Sequence, residues 1–508
     1  MLNHTSRQAG RNASASRLFA LVSVPRRACS SSSTTRHLAS SASAAARREP
    51  AKVPRRVVYA AQGEVLSVHH DLPITIPSPP SFVERDAILR QELAAHLAEN
   101  RGEAFNVVNL AEVARQHARW TSSMPRVHPY YAIKSNDDRE LISTLAALGV
   151  SFDCASPSEI DRVLRLGVAP DRVIYANPCK QPDHIQHASQ MGVGLTVFDC
   201  EEELVKIATE MPRLKLGATP PKMLLRLLPD DSLARCRLGQ KYGADAADVG
   251  SLLDAAKRLG LADAIVGVAF HVGSGNDSTK AYADALTMAA EAFRTAHEKG
   301  LGKNWTTLDI GGGFSGEIDT NDDTGGGSFE SIARAVNASL DEHFPPSRGV
   351  DIIAEPGRFY SGSPFTLMTQ IIGKRKRSAT EVQYFVNQSI YGSFNCILFD
   401  HAEVLPKLRV ISHAKAKASD AAASNSASVW GQTCDGLDCI IKSEEGLSLP
   451  ETLDVGDWLA FDDFGAYTSC AGSAFNGFSL PSTRYVCDEE SIEVVVEGGG
   501  HSGADWVF

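Results

Sequence analysis

Four short stretches hold residues whose types suit covalent and anion chemistry. "PYYAIKSND" (129–137) sets Lys134 straight after an apolar, aromatic run of the kind that enters a core. A lysine in that setting needs a partner or a chemical task. "FHVGSG" (270–275) offers His271 and the hydroxyl of Ser274, although a lone strand histidine is more often a satisfied core residue. "DIGGGFSG" (309–316) places Gly311, Gly312 and Gly313 in a row, which lets backbone N–H groups approach an anion closely; a tight turn is the plainer reading. The stretch lacks the Gly-Lys-Ser/Thr ending of a nucleotide-binding loop. "AEPGRFY" (354–360) offers Glu355 and Arg358, which could pair with each other on the surface or serve a protonated ring nitrogen and a phosphate. Taken together, a nucleophilic lysine, a carboxylate and an anion cradle suggest pyridoxal phosphate. Bound to its aldehyde as an imine, Lys134 no longer takes an isolated ammonium into the core.

The elements that must position these groups are legible in the pattern around them. From about residue 105, short β-branched runs alternate with amphipathic helical segments. Eight runs read as strands: 130–134, 151–155, 172–177, 194–199, 222–228, 264–272, 305–310 and 350–355. Between them lie patterns with apolar residues three and four apart, such as "STKAYADALTMAAEAFRTAHEKG", with glycine near several ends. Ser156, Pro157 and Glu159 form a capping-box start. Eight βα units over this length predict a closed α/β parallel barrel, (β/α)8 or TIM type, with an open doubly wound sheet as the alternative. Lys134, Asp153, Asn177, Asp199, His271, the glycines after Asp309, and Glu355 all fall at predicted strand ends, where barrel chemistry gathers.

The rest of the chain divides around that barrel. We assign a tail at 1–55, strands and a helix at 56–103, the barrel at 104–364 and a C-terminal all-β, Greek-key-like barrel domain at 365–508. The strand pattern at 56–68 is expected to join the β-domain, and a helix with a capping box from Ser81 to Glu84 leads toward the barrel. Residues 412–428 are low in complexity and read as a surface insertion. The first 48 residues hold eight arginines and no acid, the style of an organellar transit peptide or of a solvated tail. Without those eight charges the formal net charge moves from −11 to −19, which argues against nucleic acid as a partner. The longest early apolar run, 18–24, falls far short of the roughly 20 residues a membrane span needs. Ten cysteines form no CxxC pair and no HExxH occurs, so neither a metal module nor a disulfide scaffold is expected. A reducing compartment is the simpler reading.

The ordered series "PYYAIKSN", "FDCAS", "YANPCKQ", "CRLGQKYG", "FHVGSG", "LDIGGGF", "AEPGRFY", "YGSFNCILFDHA", "WGQTCDGLD" and "GAYTSCAGSAFNGF" runs from 129 to 478, within a likeness that covers about residues 104 to 500. It resembles the barrel-type family of pyridoxal-phosphate-dependent amino-acid decarboxylases, and within it the eukaryotic ornithine decarboxylases. The resemblance implies that Lys134 carries the cofactor, that His271 stacks on its ring and that Glu355 holds the ring nitrogen. Ser274, Gly311, Gly312, Gly313, Arg358 and Tyr467 would bind the phosphate, while Asp153, Glu159 and Arg237 would line the site. Glu159 is equally a helix cap. Cys434 would return a proton to the substrate, and Asp400 and Asp435 would receive its distal ammonium. The implied reaction turns L-ornithine into putrescine and carbon dioxide, in a homodimer whose sites combine Lys134 of one subunit with Cys434 and Asp435 of the other. Lysine, arginine or diaminopimelate are the alternative substrates, and a non-catalytic antizyme-inhibitor-like homologue is the rival reading. An antizyme-type regulator is the further partner implied, although nothing long follows "DWVF" to match the degradation tail of animal relatives. The family expectation for location is the cytoplasm; the arginine-rich start points instead to mitochondria.

Overall fold

In the computed structural model the described residues are 56–59, 65–69, 82–99, 101–214, 220–317, 327–411, 424–450 and 452–487. They fall within one compact unit, Pro50–Phe508. Strands β1 (Arg56–Tyr59) and β2 (Val65–His69) pair antiparallel with each other and form their own two-stranded sheet. The expectation that they extend the β-domain is therefore corrected. That place is taken by β3 (Phe105–Asn109), which pairs with two strands of the second sheet although the sequence reading put it with the barrel. Burial explains the choice, since Phe105 and Val107 pack with Leu89 and Leu93 of helix α1 (Phe82–Ala98) and with Trp458.

All eight predicted barrel strands are present: β4 (Val127–Ala132), β5 (Ser151–Cys154), β6 (Val173–Tyr175), β7 (Leu195–Phe198), β8 (Lys222–Leu227), β9 (Ile265–Phe270), β10 (Thr307–Asp309) and β11 (Asp351–Ala354). They close in chain order, with β11 returning to β4, and every pairing is parallel. The open-sheet alternative is excluded. One face of the strands fills the barrel with Ile174, Val197, Leu224, Val266, Ala269 and Ile353. The other packs on the surrounding helices, so β9 is buried along its whole length, as parallel strands covered on both faces require. Helix starts carry local signals: Asp138 accepts from the N–H groups of Glu140 and Leu141, and Ser156 from that of Glu159.

The second domain, expected as an all-β barrel, is among the described residues a mixed nine-stranded sheet that forms a half-barrel. It is built from β12 (Phe365–Lys376), β13 (Glu381–Val386), β14 (Leu408–Ile411), β15 (Ser424–Trp430), β16 (Cys439–Ile441), β17 (Ser448–Pro450), β18 (Trp458–Phe461) and β19 (Ser482–Val486), together with β3. Its core gathers Leu367, Ile371, Tyr384, Phe394, Val429 and Phe461. Residues 424–428, read as part of an insertion, belong to β15; the remainder of that insertion, Ser81 of the proposed cap, and the basic tail lie outside the described residues. Among the described residues no helix is long and apolar enough to cross a membrane, and no cluster of three or more metal-ligating side chains exists.

His117 of helix α2 (Leu110–Ser123) is buried beneath the barrel wall, its Nδ1 3.0 Å from the Tyr360 hydroxyl. Burial, aided by His128, pushes its pKa down to about 4. Below the ordinary value of 6.5 the unfolded chain binds a proton that the native one refuses, so this contribution is complete above pH 6.5 and is lost as pH falls toward 4. Acid should therefore lower thermal stability across that window by about 3 kcal/mol from this group. The pH dependence of the unfolding midpoint should be shallower for His117→Asn; an unchanged slope would contradict the assignment.

Candidate active site

Lys134 sits on a single helical turn, Ile133–Ser135, directly after β4. Its Nζ forms an ion pair with Asp153 Oδ2 at the end of β5, while 41 % of its side-chain surface stays open to the barrel mouth. Burial alone would depress the ammonium, but the Asp153 and Glu355 carboxyls outweigh it and hold Lys134 protonated, well above the usual lysine range. Asp153 is buried, and its second oxygen, Oδ1, has no hydrogen-bond partner.

Glu355, at the end of β11, is also buried. Desolvation, then repulsion from Asp153 and Asp309, pushes its carboxyl well above the usual range. Burial raises Asp309 as well, although its Oδ1 accepts from the Gly311 N–H at 2.8 Å. The Gly311 carbonyl in turn accepts from the Glu355 N–H at 2.7 Å, which ties the glycine run to the end of the next strand. His271 follows β9. Its Nδ1 accepts from the Gly273 N–H at 3.1 Å, so the neutral ring carries its proton on Nε2. Burial, then the positive charges of Arg226, Lys134 and Arg358, pushes its pKa well down and keeps it neutral.

The glycines are demanded by close approach. A Cβ at Gly312 would lie 2.6 Å from the Glu355 carbonyl oxygen and 3.0 Å from His271 Nε2. At Gly311 (φ 65°) it would lie 2.1 Å from the Phe270 carbonyl oxygen. On the same side, Ser274 Oγ accepts from Arg358 Nη2 at 2.7 Å, and Arg358 Cζ lies 5.1 Å from the centre of the Tyr467 ring.

Tyr467 comes from the β-domain, on the loop after β18, and takes a left-handed backbone (φ 55°) that a tyrosine adopts only when its surroundings enforce it. The enforcing contacts run to the lysine turn. The Tyr467 N–H donates to the Ser135 carbonyl at 2.7 Å, and Asn136 Nδ2 donates to the Gly465 carbonyl at 2.9 Å. The second domain thus clamps the segment that carries Lys134.

Two expectations, those for Arg237 and Asp400, need correction. Arg237 is exposed and donates to the Ser232 carbonyl at 2.8 Å; the arginine whose charge reaches His271, Glu355 and Asp309 is Arg226 of β8. Glu159 keeps both of its expected places: it serves its helix start, accepting from the Ala155 N–H at 2.6 Å, one residue before the expected partner, and its half-buried carboxyl feels the charges of Asp153 and Lys134. Asp400 is held by Arg358, with contacts of 2.6 and 3.1 Å, so the guanidinium expected on phosphate and the carboxylate expected on substrate are here joined. Cys434 and Asp435 lie elsewhere, on the exposed loop between β15 and β16: Cys434 N–H donates to Asn476, and Asp435 accepts from the Tyr391 hydroxyl. Arg226 and Asp309 were missed; Asp309 stood inside a quoted motif, whereas Arg226 lay mid-strand with nothing to mark it.

The site fits pyridoxal phosphate: a lysine open to the barrel mouth, an acid prone to hold a proton, and an arginine–serine pair beside glycine backbone. Asp153 Oδ1 and Arg358 Nε, buried without partners, offer an acceptor and a donor in addition. Comparison with known proteins agrees. Residues 110–362 match the family model described as pyridoxal-dependent decarboxylase, pyridoxal binding domain. Rattus norvegicus ornithine decarboxylase is 42 % identical over 83 % of this chain and 88 % of its own length. Xenopus laevis antizyme inhibitor 2 is 42 % identical over 82 % and 87 % respectively. The arginine decarboxylase of Paramecium bursaria Chlorella virus, solved with agmatine, superposes with a TM-score of 0.70 at 35 % identity, covering 79 % of this chain and all of that one. The chain belongs to the pyridoxal-dependent decarboxylase family, on its ornithine decarboxylase branch.

A methyl group at position 312 would have to displace strand-end backbone. Gly312→Ala should therefore lose at least about tenfold in pyridoxal phosphate affinity, measured by cofactor fluorescence, while far-UV circular dichroism stays native. Unchanged retention would show that the loop does not form the cradle.

Proposed function

We propose that this chain removes the α-carboxylate of L-ornithine, releasing putrescine and carbon dioxide, with pyridoxal 5′-phosphate held at Lys134. The observation that carries the reading is the Lys134–Asp153 pair beside Glu355 at the open end of the barrel. Similarity to curated ornithine decarboxylases supports the substrate.

Each residue has a definable task. Asp153 Oδ2, in contact with Nζ, fixes the Lys134 amine at the open end of the barrel, where an aldehyde would meet it. Glu355, pushed up by burial, can share a proton with a ring nitrogen and keep that nitrogen positive. His271, held neutral with Nδ1 fixed, presents a ring to the site without adding charge. Arg358, Ser274 and the N–H groups of the glycine run bind a phosphate. The cofactor, once bound, supplies the electron sink that lets the carboxylate leave. Cys434 then returns a proton to the former α-carbon, and Asp435 faces the distal ammonium.

Within one chain Cys434 and Asp435 do not approach Lys134, which supports a homodimer in which a second copy supplies them. Exposed apolar residues, Leu437 at 74 %, Phe399 at 68 % and Phe475 at 42 %, support the same assembly. Lys134, Asp153, His271, Glu355, Arg358, Cys434 and Asp435 are all present, which favours an enzyme over a non-catalytic homologue. Similarity to a protein named antizyme inhibitor supports an antizyme-type regulator as a partner.

Carbon dioxide release from ornithine should exceed that from lysine, arginine and diaminopimelate assayed in parallel, and Lys134→Ala should abolish it. Shared sites make a sharper demand. Lys134→Ala and Cys434→Ala chains, each inactive, should regain about a quarter of the native activity when mixed, because half the dimers are hybrids with one intact site of two. Absence of recovery would refute the shared site; release from lysine faster than from ornithine would overturn the substrate.

A further inference from the structure

Asp400 has a second arginine beside it that the mechanism above leaves unused. Residues 235 and 236, in the segment after β8, are laddered to the segment after β9. Arg235 N–H donates to the Gly275 carbonyl at 3.2 Å, Cys236 N–H to the Ser274 carbonyl at 3.1 Å, and Ser274 N–H back to the Cys236 carbonyl at 2.9 Å. The Arg235 backbone is thereby fixed next to the serine of the anion cradle. Its side chain lies across Gly275, where a Cβ would come within 3.0 Å of Nε and 3.1 Å of Nη2. Its Nη1 reaches 3.6 Å from Asp400 Oδ2, on the oxygen that Arg358 holds less closely. Arg235, Arg358 and Asp400 line one small cavity with Glu317 and Phe464.

We infer that Arg235 is a specificity-determining residue that acts through Asp400. When Arg358 serves a phosphate, Arg235 is the cation that remains on the Asp400 carboxylate. A substrate ammonium arriving there competes with a guanidinium already in place. On this assignment a longer chain brings its charge nearer that of Arg235, so the arginine penalises an extra methylene. Positive charge at this spot thus weakens amine binding in general and favours the shorter of two amines. The inference rests on the decarboxylase reading above, since it assigns Asp400 to a substrate ammonium.

The test uses the holoenzyme and two diamine probes, putrescine and its one-carbon-longer homologue cadaverine, whose dissociation constants are read from the cofactor's absorbance without turnover. Arg235→Gln should tighten putrescine by at least about threefold and cadaverine by at least about tenfold. With ornithine as substrate the same variant should lower KM while kcat stays within about twofold, the signature of altered ground-state binding. Arg235→Lys, which keeps the charge, should restore constants within about twofold of the native ones. Unchanged or weakened binding of both diamines by Arg235→Gln, or equal tightening of the two, would overturn the assignment. Native holoenzyme that binds both diamines but releases no carbon dioxide from ornithine would contradict the proposed reaction, while the diamine constants still decide the role of Arg235.

Discussion

The ion pair between Lys134 and Asp153 is the constraint on which the rest of the site depends. An ammonium at a strand end is tolerable only with a countercharge, and a countercharge buried as Asp153 is tolerable only with the ammonium. Removing the ammonium strands the buried Asp153 carboxylate, a loss of up to about 3–5 kcal/mol. The pair is placed by register. β4 and β5 are parallel neighbours with Ala132 opposite Asp153, and the turn after Ala132 swings Lys134 back over that carboxylate. Two further acids, Glu355 and Asp309, crowd the same mouth, and burial, with repulsion among the carboxylates added to it, keeps their pKa values high. Glu355 therefore holds its proton beside the charged Lys134–Asp153 pair.

The two domains divide the work. The barrel supplies a rigid ring of strand ends, each offering one polar group to a common mouth. The β-domain supplies the parts that a barrel rim cannot: the loop carrying Tyr467, which clamps the lysine turn, and the segment carrying Asp400, which engages Arg358. Asp400 thereby joins the anion cradle to the amine end of the site, and the competition between its two arginines gives the protein a means of grading distal charges.

Much of this was legible in the sequence because parallel barrel strands advertise themselves. Runs buried on both faces read as continuous apolar segments, and polar residues that interrupt them at the C-terminal end stand out, as Lys134, Asp153, His271 and Glu355 did. What failed to read was set by partners distant in the chain. Arg226 sits inside "KMLLRLL", where only barrel closure shows that its charge faces His271 and Glu355. Arg237 carried a family-like motif, yet both it and Arg235 are exposed beside the Cys236–Ser274 pairing, and it is Arg235 whose guanidinium reaches Asp400. β3 could not be told from a barrel strand by its own residues, since Trp458 and α1 decide where it packs. The Asp400–Arg358 pair joins residues 42 positions apart, and no spacing rule announces it.

The central claim is that Lys134, and no other amine, carries the aldehyde cofactor. The direct measurement is borohydride reduction of the protein loaded with pyridoxal phosphate, followed by tryptic peptide mapping. The account predicts one stoichiometric label on the peptide from Val127 to Arg139, uncut at its modified lysine. A label on Lys180, on Lys222 or on no single lysine would contradict it.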